Sequence, residues 1–200
     1  TQDNPLRRML PVLLFALAPL LWVWPHPVQA EVAAGSKVLM ADGRLSPIQQ
    51  IRVTDQVQGV TADYAVASAS QGDESDPMVA LTDEHGRTRL LPGEPPVSTP
   101  DGSRPAKELF PGDQLLTLTG EATLKQVRRR AYHGHTWQRR LKDPDGYGET
   151  LYFANGFLVG DRTMLAVNQA RDEEDRSPAL FQLTPGWLKA YHQLTGGAQK

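Results

Sequence analysis

PIQQIRVTDQV, from Pro47 to Val57, aligns without gaps on PAKELFPGDQL, which begins 58 residues later at Pro105. Pro, Asp and Gln are identical in the two stretches, and the pairs Ile51/Leu109 and Val57/Leu115 stay apolar. Each copy follows an Asp-Gly turn, Asp42-Gly43 and Asp101-Gly102. Matched turns and matched apolar spacing point to an internal duplication. They predict two similar β subdomains related by a pseudo-two-fold axis. Each would use one short helical turn after its proline, where the missing N–H has no partner to lose.

The sequence around the two copies reads as strand, turn, strand. Lys37-Val38-Leu39-Met40 is β-prone and closes at Ala41-Asp42-Gly43. Met78 to Thr82 and Arg87 to Leu91 flank Glu84-His85-Gly86, and Leu115 to Leu118 and Leu124 to Ala131 flank Gly120. Thr150 to Phe153 and Phe157 to Val159 flank Asn155-Gly156, the strongest two-residue hairpin turn because both positions tolerate positive φ. The polar run SASQGDESD, closed by Pro77, is expected to be an exposed loop. With 16 Pro and 17 Gly, turn-makers favour short strands over long helices, so the fold class is all-β.

Composition removes several functions at once. The chain has 200 residues, 40% hydrophobic and 22% charged, enough for a globular core. A net charge of −2 argues against a nucleic-acid polycation. There is no cysteine, hence no disulfide, thiolate zinc site, iron–sulfur cluster or Cys nucleophile.

Residues 1–30 differ from the rest. Arg7 and Arg8 precede a 15-residue apolar run, Leu10 to Trp24, which Pro25 and Pro27 break before Val28-Gln29-Ala30. Basic, then apolar, then small residues is the order of a secretory signal, cut after Ala30. The run is short for a membrane span of about 20 residues, and Pro19 sits inside it. An uncleaved inner-membrane anchor through residues 10–24 is the alternative. A mature chain from Glu31 is expected to be periplasmic or secreted.

Three blocks carry a family resemblance. GSKVLMADG, from Gly35, resembles the opening block of the Hint (hedgehog/intein) fold. VSTPDGSRPAKELFPGDQLL, from Val97, resembles its middle block, and LYFANGFLV, from Leu151, its closing hairpin. The resemblance covers about residues 31–161 and implies a horseshoe-like all-β autoprocessing domain.

The resemblance also implies a chemistry. A Cys or Ser at the first residue attacks the preceding carbonyl, a Thr-x-x-His in the middle block polarises that bond, and a closing His-Asn pair cuts the far junction. Here Glu31 stands at the nucleophile's place, and Pro92 and Pro95 at those of Thr and His. Gly160 and Asp161 replace His-Asn, and Arg162 replaces the nucleophile that follows. A carboxylate attacks amides poorly, and proline offers neither a side-chain donor nor an N–H. By this reading the domain is degenerate at its splicing residues. Ser36, five residues inside, is the alternative nucleophile.

The remaining constellations are weaker. His133-Gly134-His135 puts two imidazoles on one face of an extended segment, a spacing that suits Zn or Cu. The further ligands are not close, Asp143 and Asp145 excepted, so no metal site is expected. Lys125, Arg128, Arg129, Arg130, Arg139, Arg140 and Lys142, with Tyr132 and Trp137 between them, form a basic stretch free of acids. It suits an anionic surface or a charged hairpin that deters edge pairing. Asp172-Glu173-Glu174-Asp175 lacks the glycine of a calcium loop and reads as a solvated linker.

Thr184 as cap and Pro185 at the first position start a helix that Gly196-Gly197 ends. Its stripe of Trp187, Leu188, Tyr191 and Leu194 either docks on the β core or binds a partner. Residues 162–200 are thus an acidic linker and a helical tail. The expected role is non-enzymatic: an interaction or structural module with a protein partner in the cell envelope. No cofactor and no nucleic-acid partner are expected. Residual autoproteolysis through Ser36 or Asp161 is the alternative.

Overall fold

The computed structural model describes residues 32–74, 77–144, 150–161, 164 and 186–196. Residues 1–30, Glu31, Asp145, Arg162, the acidic segment Asp172 to Asp175, Thr184 and Pro185 lie outside the described residues. The strands follow in chain order as β1 (Val32–Ala33), β2 (Lys37–Leu39), β3 (Leu45–Pro47), β4 (Gln56–Gln58), β5 (Asp63–Glu74), β6 (Met78–Asp83) and β7 (Thr88–Leu91). Next come β8 (Pro96–Thr99), β9 (Gly102–Pro105), β10 (Gln114–Thr117), β11 (Gly120–Arg130), β12 (Gly134–Leu141), β13 (Leu151–Ala154) and β14 (Phe157–Gly160). A C-terminal helix, α1, spans Trp187–Thr195.

The duplication is visible bond by bond. Pro47 and Pro105 hold φ −59° and −53°, each opening a 3-10 turn, at Ile48–Gln50 and Ala106–Glu108. Asp55 then accepts a side-chain hydrogen bond from the Arg52 N–H, as Asp113 does from the Phe110 N–H, both at 2.8 Å. The Thr54 N–H donates to the Val66 carbonyl and the Gly112 N–H to the Leu124 carbonyl, the same 58-residue offset on both sides. Gln56 pairs with Ala65 as Gln114 pairs with Thr123. One difference is conformational: φ is +101° at Gly112, where glycine is at ease, and +77° at Thr54, where a β-branched residue is strained.

The duplicated apolar positions meet in one core. Ile48, Ile51, Val57 and Val66 from the first copy are buried in the same cluster as Ala106, Leu109, Leu115 and Leu124 from the second. Around it runs a long sheet in the order β3-β2-β13-β14-β10-β11-β6-β7, with β8 joined to β14 and β9 to β8. A smaller sheet, β1-β12-β5-β4, stands beside it.

The polar run expected as a loop is, as far as Glu74, strand in this smaller sheet. Ser68 to Glu74 belong to β5, which pairs antiparallel with β12 from Val66↔Leu141 to Glu74↔Gly134. Ser68, Ser70 and Gln71 are exposed, so along this part of β5 backbone ladder bonds rather than burial of its own side chains hold the pairing.

The Asn155-Gly156 turn forms as read, with φ of 52° and 82°, joining β13 to β14. Helix α1 starts at Trp187 after Gly186, whose φ is 101°. Its apolar stripe docks on the β core. Trp187 and Tyr191 join Leu39, Leu116, Leu151, Phe153, Leu158 and Met164 in a second buried cluster. The Tyr191 hydroxyl donates to the Thr117 carbonyl at 2.7 Å and accepts from the Thr117 N–H at 3.0 Å. Leu194, read as part of that stripe, is 37% exposed, and Thr195 is buried instead.

Candidate functional site

Of the residues read as junction positions, Gly160 ends β14 and Asp161 follows it, and the segment carrying Pro95 lies beside Gly160. Gly160 has no room for a side chain. A Cβ built there would lie 2.5 Å from Met164 Sδ and 2.7 Å from Pro96 Cγ. Val97 pairs with Val159, which sets the Pro95-Pro96 segment beside Gly160. Pro92 and Pro95 are buried. The Pro95 carbonyl accepts from the Ala106 N–H at 3.0 Å, so the second 3-10 turn fixes this loop. Pro92 lines a small cavity of about 190 Å³ with Val79 and Arg129. Upstream, Val32 pairs with Trp137, and β1 lies against β7, which leads into Pro92.

Asp161 is 2% exposed and its carboxylate is occupied. Oδ2 accepts from the Leu141 N–H at 2.7 Å. Oδ1 accepts from the Met164 N–H at 3.0 Å and from the Thr150 hydroxyl. One carboxylate therefore joins the end of β12, the start of β13 and the chain beyond β14. An acceptor held by three donors is a poor nucleophile toward its own carbonyl. Tyr152 lies nearby on β13. Burial pushes its phenol above the ordinary value, the Asp161 charge adds to the rise and Arg139 opposes it, so Tyr152 stays neutral.

Ser36 is elsewhere. Its buried hydroxyl accepts from Asn155 Nδ2 at 2.8 Å, at the turn end of the β13–β14 hairpin. Four residues of strand, roughly 13 Å, separate that end from Asp161. Ser36 and Asp161 do not share a site.

The basic stretch divides. Lys125, Arg128, Arg129, Arg130, Arg140 and Lys142 are exposed, whereas Arg139, read as one of the surface cations, is 3% exposed. Arg139 Nη2 donates to the carbonyls of Ile48 at 2.5 Å and Ile51 at 2.9 Å, and Nη1 to that of Gln138 at 2.7 Å. The guanidinium thus caps the first 3-10 turn, 5.3 Å from the centre of the Trp137 ring. Burial lowers its pKa, with Tyr152 and Asp55 opposing. Period two along β12 places Arg139 on the face of Trp137, the signal that could have withdrawn it from the surface. His133 and His135 are exposed, and no group of three or more metal-ligating side chains forms among the described residues.

No family model and no curated protein sequence matches the chain. Solved structures do. A bacterial intein-like domain from Clostridium thermocellum superposes with a TM-score of 0.58 at 21% identity, over 67% of this chain and 100% of that one. The gp41-1 intein gives 0.57 at 16% identity, over 67% and 100%. A DnaB intein from Synechocystis gives 0.57 at 12% identity, over 66% and 97%. The chain has the Hint fold, the fold of these inteins. Identities this low establish the fold and leave the activity to be argued from the residues.

Proposed function

We propose that the chain is an exported Hint-fold domain that performs no splicing and works as a non-catalytic interaction or structural module. The observation that carries this reading is the packing at Gly160: Met164 and Pro96 fill the space a junction histidine would need. Asp161 supports it, because its carboxylate is bound as a structural acceptor. Export rests on the order of segments before Glu31. A leader cut after Ala30 makes Glu31 a free amino terminus and leaves no upstream bond to process.

Expressed in a Gram-negative host, the protein is expected to be recovered by mass spectrometry in the soluble envelope fraction starting at Glu31. Retention of residues 1–30 in alkali-resistant membranes would establish the anchor instead. For the activity, one reporter is fused upstream of Glu31 and another downstream of the chain, without the leader. The purified fusion is expected to stay intact with and without hydroxylamine, which traps esters. Fragments ending beside Glu31 or Asp161 would establish autoproteolysis and overturn the non-catalytic reading.

A further inference from the structure

A cleft of about 470 Å³ lies at the turn end of the β13–β14 hairpin, away from Asp161. Its walls include both terminal strands of the long sheet: Leu45 from β3, and Arg89 and Leu90 from β7. Phe157 and Leu118 add apolar surface, and Leu45, at 56% exposure, extends it to the rim. The volume falls in the range of ligand sites, about 300–1,000 Å³.

The charges are unequal. Lys37, Arg87 and Arg89 line the cleft with one carboxylate, Asp83. Asp83 is buried and belongs to Arg87, whose Nε donates to Oδ2 at 2.7 Å, while the His85 and Arg87 N–H groups donate to Oδ1 at 2.9 Å. Burial raises the Asp83 pKa, but these bonds outweigh it and hold the carboxyl below its ordinary value. The pair is neutral as a unit. Arg89 is fixed through Nε to the Asn155 carbonyl and through Nη1 to the Thr88 carbonyl at 3.3 Å, both uncharged acceptors. Among the described residues the exposed Lys37 side chain has no hydrogen-bond or ion-pair partner, and neither Lys37 nor Arg89 meets a carboxylate.

We propose that this cleft binds an acidic peptide segment carrying apolar side chains between its carboxylates. Two uncompensated cations, one of them pre-positioned, supply charge complementarity, and the leucines and Phe157 supply the apolar contact. An extended peptide suits the place, because among the described residues β3 and β7 each have one edge without a strand partner in the sheet. This deepens the interaction-module reading by naming a partner class and a site. It also fails separately: a chain that neither cuts itself nor binds peptide overturns the cleft alone.

The test titrates the purified full chain against fluorescein-labelled Glu-Leu-Glu-Val-Glu-amide, read by fluorescence anisotropy. Saturable binding that weakens with salt is expected. Replacing the peptide's glutamates by glutamine, or making Lys37→Gln or Arg89→Gln, is expected to weaken it about tenfold. Arg140→Gln, on the exposed face of β12, is expected to leave it unchanged. Arg89 also ties β7 to the Asn155 turn, so the exposed Lys37→Gln carries the test if Arg89→Gln fails to fold. No binding, equal binding of the glutamine peptide, or full binding by Lys37→Gln would overturn the proposal. So would displacement by inorganic phosphate combined with indifference to replacing Leu and Val by Ser, which would make the cleft a simple anion site.

Discussion

Gly160→His is expected to destabilise the chain by about 3 kcal/mol or more in urea unfolding, and to restore no junction chemistry. The cause is steric. The first side-chain carbon alone would sit 2.5 Å from Met164 Sδ and 2.7 Å from Pro96 Cγ, and an imidazole extends further. The thioether can swing aside, whereas the pyrrolidine ring cannot. Met164→Ala in the same chain should therefore recover part of the loss and leave the Pro96 contact, a coupling visible in a double-mutant cycle. Asp161→Asn adds a second fault. Its carboxylate accepts on both oxygens, and an amide would turn a donor toward either the Leu141 N–H or the Met164 N–H and Thr150 hydroxyl. Putting back Glu31→Cys, Pro92→Thr, Pro95→His, Gly160→His and Asp161→Asn together is thus expected to cost the fold before any chemistry can be read. A Gly160→His variant as stable as the parent would remove the packing argument for a non-catalytic domain.

What the sequence disclosed follows from which interactions are local. The 58-residue repeat is written in a proline, an Asp-Gln pair and alternating apolar residues, and these set the 3-10 turns and strand starts of both copies. The Asn155-Gly156 hairpin was equally plain, because a two-residue turn with positive φ at both positions admits few other sequences. The β5 ribbon was not. Ser68 to Glu74 show no apolar alternation, since their stability comes from bonding to β12 some 70 residues away. Arg139 looked like its exposed neighbour Arg140, although its charge turns inward on the Ile48 and Ile51 carbonyls. The junction positions are read from the resemblance alone, and the packing at Gly160 could not be read at all, because Met164 and Pro96 reach Gly160 only through the fold.

Ending the chain at Asp161 is expected to cause the other large loss: a lower melting temperature and binding of a hydrophobic dye, or precipitation. The second core cluster has two sources. Leu39, Leu116, Leu151, Phe153 and Leu158 come from the β strands, and Met164, Trp187 and Tyr191 come from the chain beyond Asp161. Burying each of these three side chains is worth about 1.5–3 kcal/mol, so removing them forfeits roughly 5–9 kcal/mol as an upper bound. The total stability of a domain is only about 5–15 kcal/mol. Truncation also strips Thr117 of the hydroxyl that serves both its N–H and its carbonyl. Supplying residues 162–200 as a separate peptide should restore much of the lost stability. A truncated chain as stable as the full one, binding no dye, would mean that the helix rests on a core already complete without it.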